Sequence, residues 1–172
     1  MQTLKSLLTA TTLTLLLAAC GWHLRGQVDI PISMRIINLD AAAVDYVSQN
    51  AIKQVMLSNG ITLSADATYT LKVLNEAATK RALAVASNAK ASEYELSQSL
   101  EFVLLNDAEQ PVSEKLSVIS YSTLLYDANA EIGKAQEEKN LRLDMKQNNA
   151  YKMLLRLKSI TPSAPLPDSG NE

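Results

Sequence analysis

Between residues 93 and 104 the chain alternates in character. Tyr94, Leu96, Leu100, Phe102 and Leu104 fall on one parity, and Glu93, Glu95, Ser97, Ser99 and Glu101 on the other. Successive side chains of a strand point to opposite faces of its sheet, so the pattern describes a half-buried antiparallel strand with one wet face. Tyr69, Leu71 and Val73 alternate in the same way with Thr68, Thr70 and Lys72. After the turn signals Asn106, Asp107 and Pro111, residues 116–126 are rich in Val, Ile, Thr and Tyr and supply another strand. Together these predict an antiparallel meander that needs a cover on one face.

The cover comes from two segments of helical period. Val44, Val47, Ala51, Val55 and either Ile52 or Met56 recur at helical spacing opposite Asp45, Gln49 and Lys53, and Asn59 with Gly60 closes the run. Residues 135–157 carry Leu143, Ala150, Leu154 and Leu157 on one face, with Glu137 and Glu138 near the start and Lys152, Arg156 and Lys158 near the end, complementing the helix dipole. A short β-rich run at 34–39 precedes the first helix. The element order predicts an α+β domain, a mixed sheet of about four strands with two helices packed on one face. With one Phe and one Trp in the chain, its core must be built from Leu, Val, Ile, Ala and Tyr.

The N-terminus has a different logic. Lys5 precedes an apolar stretch at 7–17, which ends in Ala18 and Ala19. That is the layout of a signal peptide, and the stretch is too short to span a bilayer, which takes roughly 20 residues. An exported Cys usually has a disulfide partner, yet Cys20 is the sole cysteine. Leu17-Ala18-Ala19-Cys20 resembles the bacterial lipoprotein signal, which implies diacylglycerol and an N-acyl chain on Cys20, enough to anchor a protein stably, and no other cofactor. Gly21 in place of Asp implies sorting to the outer membrane. The expected organisation is a signal peptide at 1–19, a lipidated tether at 20–33, a folded domain at 34–160 and a disordered tail at 161–172, where Pro is frequent and apolar periodicity is absent. Removal of residues 1–19 leaves 15 Lys and Arg against 18 Asp and Glu, a charge near −3 that argues against nucleic acid as a partner.

Catalysis has little to work with. His23 is the only histidine and lies three residues from the lipidated position. A Ser-His pair would have to reach back into the tether, and a zinc site would need several Cys and His. The acidic residues fall mostly on wet strand parities or helix surfaces. Trp22, His23 and Arg25 have two open readings: an interfacial anchor at headgroup level, or a contact with a barrel wall.

The run CGWHLRG at 20–26, the short strand before an amphipathic helix, Glu93 and Tyr94 entering a strand, and the long final helix resemble the LPS-assembly lipoprotein LptE family. The resemblance spans roughly residues 20–160 and is most specific in CGWHLRG. It implies a non-enzymatic outer-membrane, periplasm-facing lipoprotein that plugs the β-barrel LptD, assists its folding and contacts lipopolysaccharide. If the meander runs antiparallel, Lys80, Arg81 and Lys90, placed in the first connection, and Lys134 gather at one edge of the sheet. There they are candidate partners for lipopolysaccharide phosphates. Surface lysines that only keep a domain soluble are the competing explanation for each one. A basic residue expected near Ser87 or Asn88 is missing, and Lys90 is its nearest substitute. The alternative reading is an accessory lipoprotein of another envelope complex, such as an ABC-transport auxiliary subunit or a peptidoglycan-synthase activator. A lipid-anchored hydrolase is a third, disfavoured by the shortage of His.

Overall fold

The structure, a computed structural model, describes residues 28, 30–85, 91–125 and 130–160. Cys20, Trp22, His23, Arg25 and Lys90, the signal segment and the expected tail lie outside the described residues.

A single turn of 3-10 helix, Ile32–Met34, leads into β1 (Ile36–Asp40), followed by α1 (Tyr46–Ser58), β2 (Thr62–Leu63), β3 (Thr70–Val85), β4 (Ala91–Leu105), β5 (Leu116–Leu125) and α2 (Glu131–Ser159). The sheet order is β2-β1-β3-β4-β5. β1 is parallel to both β2 and β3, while β3, β4 and β5 form the antiparallel meander. This is the expected α+β architecture. The strand beyond the four expected is β2, whose two residues are too few to show a period.

The first helix is defined by its ends. The Asp45 carboxylate accepts from the Ser48 N–H at 2.9 Å, satisfying one of the donors that a helix start leaves open. At the other end Gly60 takes φ +78, the Gly60 N–H donates to the Leu57 carbonyl and the Ile61 N–H to the Met56 carbonyl. Those two bonds make a Schellman closure, which a left-handed glycine permits. Of the two apolar faces open to α1, the core takes Ser48, Ile52 and Met56. Val47 is exposed, and Ala51 and Val55 pack only at the margin of the core.

α2 is longer than its apolar period, beginning four residues before Ala135. It buries Met145, Asn149, Ala150, Met153, Leu154 and Leu157, and Leu143 stays half-buried. Both helices pack against each other and close one core with Ile37, Leu71, Val73, Leu100, Phe102 and Leu104 from the sheet. Val28 and Ile30 belong to that core as well, so packing starts before Met34, within residues assigned by sequence to the tether. Among the described residues no helix is long and apolar enough to cross a membrane.

The strand β3 corrects one sequence expectation. Lys80 and Arg81 are ladder residues of a sixteen-residue strand and do not lie in the connection. The alternation of residues 69–73 stops at Leu74 because a bulge falls there: Val73 pairs with Phe102 and Asn75 with Glu101, so Leu74 has no ladder partner. The extra residue shifts the parity. Glu76 pairs with Leu100 and Lys80 with Leu96, which puts both on the helix-covered face, whereas Arg81 pairs with Glu95 on the open face.

Candidate functional site

Three of the proposed basic residues are described; strand alternation puts Lys80 and Arg81 on opposite faces, and the bulge decides which of them meets the helices. On the covered face the Lys80 ammonium donates to Glu138 Oε2 at 2.6 Å and lies 4.5 Å from the centroid of the Tyr94 ring. On the open face the Arg81 guanidinium donates to Glu95 Oε1 at 2.9 Å, a cross-strand pair on the exposed surface. Lys134, in the first turn of α2, donates to Glu137 Oε2 at 2.8 Å. Lys80 and Lys134 thus reach consecutive glutamates of one helix turn, and Arg81 is held apart from them by the thickness of the sheet.

Glu138 joins the elements. Its Oε1 accepts from Nε and Nη2 of Arg142, one turn later, at 3.1 and 2.8 Å. The carboxylate therefore faces two cations, and it is held below the ordinary glutamate value by the Lys80 hydrogen bond first and the Arg142 hydrogen bond after it, against the opposing pull of burial. Arg142 and Glu138 escaped the sequence reading as site residues. Their spacing of four was a usable signal, since such pairs face each other on a helix. The Lys80–Glu138 pair, 58 residues apart, offered none.

A second polar centre lies further along α2. The Lys146 ammonium donates to Asp45 Oδ2 at 2.6 Å, Ser48 Oγ at 2.7 Å and Glu76 Oε1 at 3.1 Å, tying α2 to the start of α1 and to β3. Gln98 Nε2 also donates to Glu76 Oε1. The Asp45 carboxyl sits below its usual value, chiefly through the Lys146 hydrogen bond and then the Ser48 N–H. Both carboxylates here face the Lys146 ammonium, so the cluster ties α1, β3 and α2 together. Among the described residues no group of three His, Cys, Asp or Glu is placed to hold a metal ion.

Around the end of the sheet that carries Lys80 and Arg81, apolar side chains stand in solvent. Leu83, Tyr121 and Leu125 project from the strands, and Ile132, at 90% exposure, projects from the first turn of α2. They fall on two sides: Tyr121 and Leu125 share the open face with Arg81, while Ile132 belongs to the helix that carries Lys134, so each side of this end pairs exposed apolar groups with a cation.

Comparisons with known proteins agree with this architecture. The family model described as Lipopolysaccharide-assembly, LptE, matches residues 31–157. A curated relative, the LPS-assembly lipoprotein LptE of Pectobacterium atrosepticum, is 25% identical over 153 residues, 87% of this chain and 82% of that protein. Two solved structures share the fold. A minor lipoprotein from Acinetobacter baumannii has a TM-score of 0.67 at 18% identity, covering 78% of this chain and all of that one. Lipoprotein B from Nitrosomonas europaea, determined by solution NMR, has a TM-score of 0.66 at 19% identity, with 81% and 91% covered. The family match takes in β1 through almost all of α2, leaving out Val28, Ile30 and Ile160 of the residues packed in or against the core, and the chain belongs to the lipopolysaccharide-assembly LptE family.

Proposed function

We propose that this chain is an outer-membrane lipoprotein, anchored through acyl chains on Cys20, that serves as plug and assembly partner of the LptD β-barrel and contacts lipopolysaccharide with the basic end of its sheet. The observation that carries the reading is the family match over residues 31–157. The role is one of binding, not catalysis.

The ion pairs indicate which cations can be lent to a phosphate. Lys80 binds Glu138 across elements, so releasing it would give up one of the ion pairs between β3 and α2, the other among the described residues being Lys146 with Glu76. Lys134 pairs with Glu137 within a single helix, and exchanging that carboxylate for a phosphate breaks no ion pair between elements among the described residues. Exposed pairs of this kind contribute only about 0.2 to 1 kcal/mol, and a phosphate with more charge and more acceptor oxygens competes well for the ammonium. Among the described cations Lys134 is accordingly the one to face a phosphate, with Lys90 proposed as its companion from sequence, and Lys80 is a strut. Arg81, on the open face, is a separate contact.

The test is purification of the tagged full chain from membranes in mild detergent, comparing wild type with the double variant Lys90→Glu and Lys134→Glu and with Lys53→Glu as a control. A stoichiometric large β-barrel is expected with all three. Retained lipopolysaccharide is expected to fall severalfold in the double variant alone, since two attractions become repulsions. Co-purification of a transporter subunit in place of the barrel would overturn the assignment. Unchanged lipopolysaccharide with the barrel present would overturn the phosphate contact alone.

A further inference from the structure

The last strand of the sheet is unguarded in its own sequence. β5 reads LSVISYSTLL, ten residues with no charge, proline or glycine, and it pairs with β4 from Leu116 to Leu125 without a register shift. Edge strands usually carry lysines, prolines or bulges, because a long unpaired row of N–H and C=O groups invites another strand. Here a single side chain from outside the sheet does that work. Lys152 of α2 donates to the Ile119 carbonyl at 2.6 Å and to Ser120 Oγ at 3.0 Å.

That bond also fixes which backbone groups are available. The carbonyl of Ile119 faces the open edge, and backbone groups of alternate residues point the same way, so the N–H and C=O of Ser117, Tyr121 and Thr123 face it too. A groove of about 480 Å³ runs beside this edge, between β5 and the last turns of α2, lined by Ser117, Ile119, Lys152, Leu155, Arg156 and Ser159. Leu155 is exposed in it, and the lining holds two cations and no acid.

We propose that this edge is a docking site for an extended, acid-bearing segment of a partner polypeptide, which adds to β5 as a sixth strand and sets a carboxylate against Lys152 and Arg156. Main-chain hydrogen bonds supply the affinity of such an addition, and the flanking groove supplies its selectivity. Lys152 acts as a guard. In the free chain it occupies the Ile119 carbonyl, and on docking its ammonium moves to the incoming carboxylate, leaving that carbonyl to accept a partner N–H. A second copy of this chain is a poor occupant, because pairing two β5 edges brings Lys152 and Arg156 of both copies to one seam with no acid to balance them. The chain's own residues 161–172 follow Ile160 directly, but Pro162, Pro165 and Pro167 lack the N–H groups that a ladder needs. The inference does not depend on the lipopolysaccharide contact proposed above.

The experiment places a photo-crosslinking residue at Ser117, Tyr121 or Thr123, or at the control Ser99 on the neighbouring strand, in the full lipid-anchored chain in its membrane. Cross-linked peptides are then sequenced by mass spectrometry. The three edge positions are expected to land on one contiguous segment of one partner, four and then two residues apart to match their own spacing, with an Asp or Glu at the end facing Lys152, and Ser99 is expected to stay unlinked. Lys152→Glu combined with Arg156→Glu should lower the yield about tenfold through lost attraction and added repulsion. Thr123→Pro removes one outward N–H without touching the β4 ladder, and it should lower the yield while the thermal unfolding midpoint stays close to wild type. No cross-link, cross-links scattered over several segments, links to residues 161–172 or to a second copy, or yields indifferent to both variants would each overturn the proposal.

Discussion

At the scale of single residues, Glu138 bears the most consequence, since one carboxylate orients a strand lysine and a helix arginine. Its depressed pKa has a definite sign in stability. The contribution is fully present above the unfolded-state value, 4.5, and is lost as pH falls through the lower folded-state value. Denaturant unfolding is therefore expected to shift to lower midpoints as the solution is taken from neutral to roughly pH 3, and Glu138→Gln should flatten that dependence because the variant has no proton to take up. Parallel curves for wild type and variant would show that the pair contributes nothing to acid sensitivity. Asp45 adds a smaller effect of the same sign, discounted because its side chain is 56% exposed. At this scale sequence reading sees partners one helical turn apart, such as Glu138 and Arg142, and is blind to Lys80 and Glu138, which only folding brings together.

At the scale of elements, the seating of α2 on the sheet rests on a buried amide as well as on its apolar face. Asn149 is buried, accepts from Ser120 Oγ at 2.7 Å on β5 and donates to the Gln98 carbonyl at 2.7 Å on β4. Truncation leaves buried polar groups short of partners, so Asn149→Ala is expected to cost about 1 to 3 kcal/mol in chemical denaturation. Gln147→Ala, on the exposed side of the helix, should stay within about 0.5 kcal/mol of wild type. Equal effects at the two positions would remove the amide from the account. The period of α2 was legible from residue 135 onward, and its first turn was not, because Glu131, Ile132 and Gly133 are exposed and half-buried Lys134 is no apolar residue that could mark a face. The bulge at Leu74 was equally hidden. Nothing in the local residues announces an extra position in a ladder, yet it decides that Lys80 and not Arg81 faces the helices.

At the scale of the whole molecule, the proposed lipid anchor is the feature with the largest expected consequence for location. Cys20→Ala should abolish incorporation of labelled fatty acid and leave the chain either soluble in the periplasm or held by an uncleaved signal peptide, since the acyl chains that supply about 0.8 kcal/mol per buried methylene are gone. Persistent labelling in the variant would refute the anchor. The meander, the Asn59-Gly60 end of α1 and the pairing of two helices with one sheet face were all determined by sequence alone. Each depends on residues a few positions apart, whose spacing shows either the period of a strand or helix or the chemistry of a terminus. Tertiary structure alone decided which lysine became a strut, that Lys146 would reach Asp45 across 101 positions, and that α2 would lay Lys152 over the open edge of β5. Those contacts depend on sheet parity, helix register and strand order, and all three are set by how distant segments pack together to bury apolar surface, which no local pattern encodes.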